Sequence, residues 1–185
     1  STNGADADLP AGPYLPQGGA VTWQYNITTT SNVPVSNVSV TDSVGGVTPT
    51  YVSGDGNNDG LLTSNETWIY RATGAAVSGQ YANTGYVSGK TPGNQTLADD
   101  DLSHYYGELG SINIEKSTNG ADADLPPGPY LPQGGAVTWQ YNVTTTSNVP
   151  VSNVSVTDSV VGVTPTYVSG DNNNDGLLTS NETWI

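Results

Sequence analysis

Cysteine, methionine and phenylalanine are absent from this chain of 185 residues, and histidine occurs once. Without Cys there is no disulfide, no zinc–thiolate site and no Cys nucleophile. Only 3 Lys and Arg residues face 17 Asp and Glu, for a formal net charge of −14. Three cations cannot replace the counterions on a run of phosphates, so nucleic-acid binding is excluded. No stretch of about 18 apolar residues is present, so no helical membrane span is expected in this window. No charged-then-apolar leader opens the chain, and a secretion signal is expected to lie outside it.

Low hydrophobicity with high net charge is a signature of disorder. Here charged residues make up only 11% of the chain. The apolar residues are mainly Val, Tyr, Trp and Ile, which suit strands. The composition points to an all-β protein.

The chain repeats itself. Shifted by 116 residues, Ser1–Ile69 matches Ser117–Ile185 at 65 of 69 positions. The four changes are Ala11 to Pro127, Ile27 to Val143, Gly45 to Val161 and Gly56 to Asn172. A period of 116 is too long for one solenoid coil but suits one sandwich domain, which runs to about 100 residues. We expect a first repeat over residues 1–110, lacking its first strand, and a second over 111–185, cut after about three-fifths of the period.

Residues 20–29 alternate cleanly, with Val21, Trp23, Tyr25 and Ile27 on one face. Further strands are expected over 37–42, 48–53, 67–73, 80–88 and 111–116, with turn clusters between them. Residues 9–19, rich in Pro and Gly, read as an extended approach rather than a helix. About seven short strands at this spacing indicate an antiparallel β-sandwich. Trp23 and Trp68 sit on alternating apolar faces and are expected in its core, although each could be a ligand platform.

The segment Asp55-Gly56-Asn57-Asn58-Asp59-Gly60-Leu61-Leu62-Thr63-Ser64-Asn65-Glu66 fits the calcium-loop pattern D-x-[DN]-x-[DN]-G-x5-E in full. Calcium takes six to eight hard oxygens in a loose shell. Asp55, Asn57 and Asp59 would supply side-chain oxygens and Leu61 its carbonyl. Thr63 would act through water, and Glu66 would close the shell with both oxygens. The second copy keeps the same set as Asp171, Asn173, Asp175, Leu177, Thr179 and Glu182. Strand-forming residues flank both loops, so this is an EF-hand-type loop set between strands. The competing reading is a plain Asp/Asn/Gly hairpin turn, which requires neither Glu at position 12 nor an apolar residue at position 8.

Thirteen of the 17 acids fall in clusters. Besides the two loops these are Asp6 with Asp8, their copies Asp122 with Asp124, and Asp99, Asp100 and Asp101. The last three sets are a candidate second metal site near a repeat boundary, or solvated acidic turns. Ser103, His104 and Asp101 are too close in sequence to line up as nucleophile, base and orienter, so no hydrolase is expected. Sequons stand at Asn26, Asn37, Asn65, Asn94, Asn142, Asn153 and Asn181 as candidate N-glycosylation sites.

Several segments, taken in order, resemble a known family. They are Ile114-Glu115-Lys116-Ser117-Thr118-Asn119-Gly120-Ala121-Asp122-Ala123-Asp124, Pro-Gly-Pro at 127–129, Val137-Thr138-Trp139, Asn148-Val149-Pro150, Val154-Ser155-Val156-Thr157-Asp158, the calcium-type loop with Glu-Thr-Trp, Gly79-Gln80-Tyr81-Ala82-Asn83-Thr84-Gly85, and Ser103-His104-Tyr105-Tyr106-Gly107. This resembles the tandem "conserved repeat domain" modules of large bacterial and archaeal surface proteins, across essentially the whole chain. Leu102 stands where Pro is expected, and Tyr106 where Phe is common. The resemblance implies Ig-like sandwiches strung head to tail in stalks, adhesins or extracellular filaments, without catalytic activity. The expected function is a calcium-stabilised structural module at the cell surface, partnered by neighbouring repeats. The alternative is an adhesin module that binds glycan or a surface directly.

Lys116 is one of three cations and lies on a junction strand. A Lys–Asn amide assisted by a buried carboxylate would tie the first strand of a Cys-free sandwich to its last. Asp42 and Asp158 are the candidate carboxylates and Asn83 the candidate acceptor. The Lys of the first period and the Asn of the second would both fall outside the window. The simpler reading is a solvated Lys116 paired with Glu115 or nearby acids. We also expect that Ile185 is not a natural end and that copies form one continuous head-to-tail array, with strand exchange between chains as the rival arrangement.

Overall fold

The computed structural model describes residues 1–185 and is all-β. It divides into two compact units, Ser1–Glu108 and Leu109–Ile185.

Unit 1 contains β1 (Tyr14–Pro16), β2 (Ala20–Ile27), β3 (Ser36–Asp42), β4 (Thr50–Ser53), β5 (Trp68–Ala75), β6 (Gly79–Lys90) and β7 (Thr96–Glu108). One sheet has the order β1-β7-β6-β3 and the other β2-β5-β4. All pairings are antiparallel except β1 with β7. Two clusters fill the space between the sheets, and each draws on both. Ile27, Trp68 and Tyr70 meet Val40, Val35 and Leu62 in the first. Val21, Trp23 and Ala72 meet Tyr105 in the second. The alternating side chains of β2 explain this: Val21, Trp23 and Ile27 are buried while Asn26 is exposed. Both tryptophans are core residues, Trp23 at 3% and Trp68 at 6% exposure.

Two elements differ from the sequence reading. Thr96–Glu108 is the longest strand in the chain, yet its Asp-Asp-Asp run breaks the apolar alternation that marks strands. It forms because β6 offers an unbroken antiparallel partner from Gly79 to Lys90. The approach segment over 9–19 also contributes a strand, β1, laid parallel on Tyr106–Glu108.

Unit 2 contains β8 (Asn113–Thr118), β9 (Ala121–Asp122) and β10 (Trp139–Thr144), in one antiparallel sheet of order β10-β8-β9. β10 is the copy of β2. The copies of β3 and β4 are not strands here, although their sequences are the same. In unit 1, β3 pairs with β6, and unit 2 has no counterpart of β6 or β7. Strand structure at these sequences follows the partner, not propensity.

Candidate metal loops and a buried carboxylate pocket

The loop Asp55–Glu66 turns its side-chain oxygens inward onto its own backbone. Asp55 accepts from the amides of Asp59 at 3.2 Å and Gly60 at 2.9 Å. Asn57 Oδ1 accepts from the Asp59 amide at 3.1 Å, and Asp59 Oδ1 from the Leu61 amide at 2.8 Å. Glu66 spans the loop: Oε1 accepts from the Gly56 amide at 3.2 Å, and Oε2 from the Thr63 amide and hydroxyl at 3.0 Å each. Gly60 has φ +72, and Asn58 at φ 58 also takes the left-handed region that Asn tolerates.

Apolar contacts fix the loop from below. Leu62 is buried and exchanges backbone hydrogen bonds with Val35, at 2.8 and 2.9 Å. Tyr51, which precedes the loop, packs edge-on against Trp68, which follows it, with ring centroids 5.6 Å apart. The Tyr51 hydroxyl accepts from the Asp55 amide at 2.8 Å.

The second loop reproduces the first. Asp171 accepts from Asp175 and Gly176, Asp175 from Leu177, and Glu182 from Asn172 and Thr179. Leu178 is fully buried and bridges to Val151. Amide donors, led by the Thr179 N–H, hold the Glu182 carboxyl below its ordinary range. Each loop thus carries Asp, Asn, Thr and Glu oxygens, hard donors of the kind calcium takes, and in this structure they are engaged by the loop's own amides and hydroxyls.

Of the proposed second metal site, the structure brings together two parts. In unit 1 the charge of Asp101, followed by burial and Asp6, pushes the Asp8 carboxyl up. The contact that sets this up is backbone: the His104 amide donates to the Ala7 carbonyl at 2.8 Å, laying Asp6–Asp8 along β7. Within the Asp99–Asp101 run, Asp100 turns to the opposite face of β7 from Asp99 and Asp101, because successive residues of a strand alternate. In unit 2, Glu115, Asp122 and Asp124 present carboxylate oxygens all within 4.8 Å of one another, and this group could hold a metal ion. Glu115 was missed by the sequence reading. It lies seven residues from Asp122 and joins it only because β8 and β9 form a hairpin.

A different kind of site surrounds Asp42. Its Oδ2 accepts from the Tyr25 hydroxyl and from the Asn83 amide nitrogen, both at 2.6 Å. Asp42 lies opposite Gly85 in the β3–β6 ladder, and Asn83 is two residues along the same face of β6. Gly85 makes room for the tyrosine: a Cβ there would lie 2.7 Å from the Tyr25 ring. Asn83 is 3% exposed, and its carbonyl oxygen has no hydrogen-bond partner. Burial, then the hydrogen bond to Asp42, raises the Tyr25 hydroxyl strongly.

The copy in unit 2 is Asp158. Its Oδ2 accepts from the Tyr141 hydroxyl at 2.5 Å and from Lys116 Nζ at 2.5 Å. The Asp158 side chain is 2% exposed and that of Lys116 39%. Lys116 therefore pairs with Asp158, not with its neighbour Glu115. Its ammonium also lies 5.5 Å from the Trp139 ring centre and 5.4 Å from that of Tyr141. Hydrogen bonds from Lys116, Tyr141 and the Val160 amide hold the Asp158 carboxyl well below the carboxylate range.

Ser103 and His104 point to separate partners. The Ser103 hydroxyl meets that of Thr2 at 2.6 Å, and His104 Nδ1 donates to the Ala7 carbonyl at 3.0 Å. Six of the seven sequon asparagines are exposed, and Asn142 is half-buried. Comparison with family models, curated proteins and solved structures finds no match for the chain.

Proposed function

We propose that the chain is a structural, calcium-stabilised repeat module of an extracellular or cell-surface filament or stalk, built of Ig-like sandwiches that adjoin identical neighbours head to tail. The observation that carries this reading is the duplicated loop. In both copies its oxygens turn inward, Glu spans the ring from position 2 to position 9, and a buried Leu locks the loop to the adjoining segment. A plain hairpin turn requires none of these. The Glu115, Asp122 and Asp124 group supports a second, more exposed cation position at the start of a repeat.

Near-identical copies repeat the same surface at every junction, the condition for a regular rod. A cation shared by acids of one loop stiffens each unit without disulfides. The test is thermal melting of the protein in calcium and in chelator. Extracellular calcium modules bind with Kd of about 10⁻⁴–10⁻³ M. At about ten times Kd, binding adds about 1.4 kcal/mol per site. That is a rise of the melting midpoint on the order of 5 °C for a domain of this size. An unchanged midpoint rejects the reading. So does a response that persists when Asp55→Ala and Asp171→Ala are combined.

The second reading, an adhesin module, draws on Tyr14 and Tyr106, whose rings lie 5.4 Å apart with Tyr14 59% exposed. Such rings suit a ligand with one apolar face. A glycan array read with the parent and with Tyr14→Ala decides it: signal lost with the ring supports an adhesin.

A further inference from the structure

We propose that Asn83 and Asp42 form an amide-forming site, in which the lysine of a strand matching Ser111–Lys116 becomes covalently joined to the Asn83 side chain. The two units show the two halves of this site. In one, the shared carboxylate oxygen holds a tyrosine hydroxyl and an asparagine amide. In the other, the equivalent oxygen holds the equivalent hydroxyl and a lysine ammonium. The nitrogen that would leave and the nitrogen that would enter address the same atom.

Unit 1 has a cleft where the lysine strand would lie. It measures about 230 Å³ and is lined by Tyr25, Asn26, Ile27, Asn83, Asp101 and Leu102, among others. Unit 2 shows how the occupant sits. There β8 runs antiparallel to β10, with Thr118 opposite Trp139, Lys116 opposite Tyr141 and Ile114 opposite Val143. Unit 1 retains the end of this arrangement, with Thr2 opposite Trp23 and Ser1 accepting from the Gln24 amide at 3.0 Å. β2 is an edge strand of its sheet. By the β8–β10 pairing, the strand that fits this edge is the one equivalent to Ser111–Lys116 in another copy of the repeat. In that register its lysine falls beside Tyr25, at Asp42.

The chemistry balances without an added reagent. The entering strand covers the site, and burial disfavours a charged pair. The lysine ammonium passes a proton to Asp42, leaving a free amine and a neutral carboxylic acid. The amine attacks Cγ of Asn83. The acid donates its proton to the unpartnered carbonyl oxygen as the new N–C bond forms. The carboxylate then takes a proton from the attacking nitrogen and passes it to Nδ2, the C–Nδ2 bond breaks, and the hydroxyl proton returns to Asp42 as the carbonyl re-forms. One amide forms, one amide is lost, and ammonia leaves. No oxidant or cofactor takes part. The residues are held in register by two ladders, so the reaction is effectively unimolecular.

The probe is a synthetic peptide, Gly110–Lys116 amidated at its C-terminus, incubated with the full chain and analysed by intact mass after denaturation. The expected product is the sum of the two masses less one ammonia. Asn83→Ala abolishes it. Asp42→Asn slows it by about 100-fold or more, the usual weight of a positioned acid–base group. A peptide with Arg in place of the lysine leaves the protein unaltered, binds the cleft as shown by tryptophan fluorescence, and gives no adduct. The proposal is overturned if the parent peptide binds yet leaves only the unmodified masses, if it does not bind, or if the Asn83→Ala variant still gains the adduct. This readout is independent of calcium, so its failure and a failure of the melting test are distinct.

Discussion

Asp8 is held against two like charges, Asp101 and Asp6, and its carboxyl is pushed up. A raised carboxyl binds its proton more tightly in the folded state than in the unfolded chain. Its contribution to stability is therefore present below the ordinary Asp range and is lost as pH rises through the folded value. At neutral pH without divalent cations, Asp8→Asn is expected to raise the melting midpoint. The gain should shrink to nothing as pH falls below the carboxylate range. Calcium should close the gap between parent and variant if the three carboxylates share a cation. A variant that melts like the parent at every pH would show that the three charges do not meet. Glycine at position 85 makes a second test at this scale. A methyl there would meet the Tyr25 ring at 2.7 Å, too close for any real contact, so the ring must leave Asp42. Gly85→Ala should cost about 1–3 kcal/mol in denaturant unfolding. Tyr25→Phe keeps the ring, loses one hydrogen bond, and should cost about 0.5–1.5 kcal/mol.

At the scale of elements, the loop is held by its apolar anchor as well as by its acids. Leu62 is 2% exposed and is tied to Val35 by two backbone hydrogen bonds. Leu62→Ala should destabilise the unit by about 2–5 kcal/mol. It should also weaken the calcium response, because the carboxylates would no longer be held by a fixed frame. Titration calorimetry on the variant checks this; full calcium affinity in a destabilised protein would separate the two roles. The loop was readable from sequence because its twelve positions are local. So were β2 and β5, whose apolar residues alternate. β7 was not, because three consecutive aspartates hide the period of two, and only the β6 partner reveals it. The carboxylate pocket was half readable. Scarcity of Lys drew notice to Lys116, and Asp42, Asp158 and Asn83 could be named. The hydroxyls of Tyr25 and Tyr141 could not, since both residues read simply as members of an apolar face. Glu115 escaped for a related reason: its acidic neighbours come from across a hairpin.

At the scale of the whole molecule, the chain contains its own control experiment. Ser36–Asp42 and Ser152–Asp158 have the same sequence, but only the first is a strand. The difference lies in what pairs with them. Ser36–Asp42 is laddered to β6, with Asp42 opposite Gly85 and Val40 opposite Val87. Ser152–Asp158 has no such partner in its unit, and Val156 lines an open apolar cleft with Tyr141, Val143 and Trp184. Amide exchange opens with free energies set by local structure, and ladder amides open only when a larger unit opens. Peptic fragments from Ser152–Asp158 should therefore exchange faster than those from Ser36–Asp42, by on the order of 100-fold or more. Intrinsic exchange rates cancel, because the sequences are identical. The loops bracket the comparison: Asp55–Glu66 and Asp171–Glu182 share the same internal hydrogen bonds and should exchange alike, slowing together when calcium is added. Equal exchange in the two Ser-to-Asp segments would mean that Ser152–Asp158 finds a strand partner in solution. That outcome would indicate that a strand of another copy pairs with Ser152–Asp158 by strand addition.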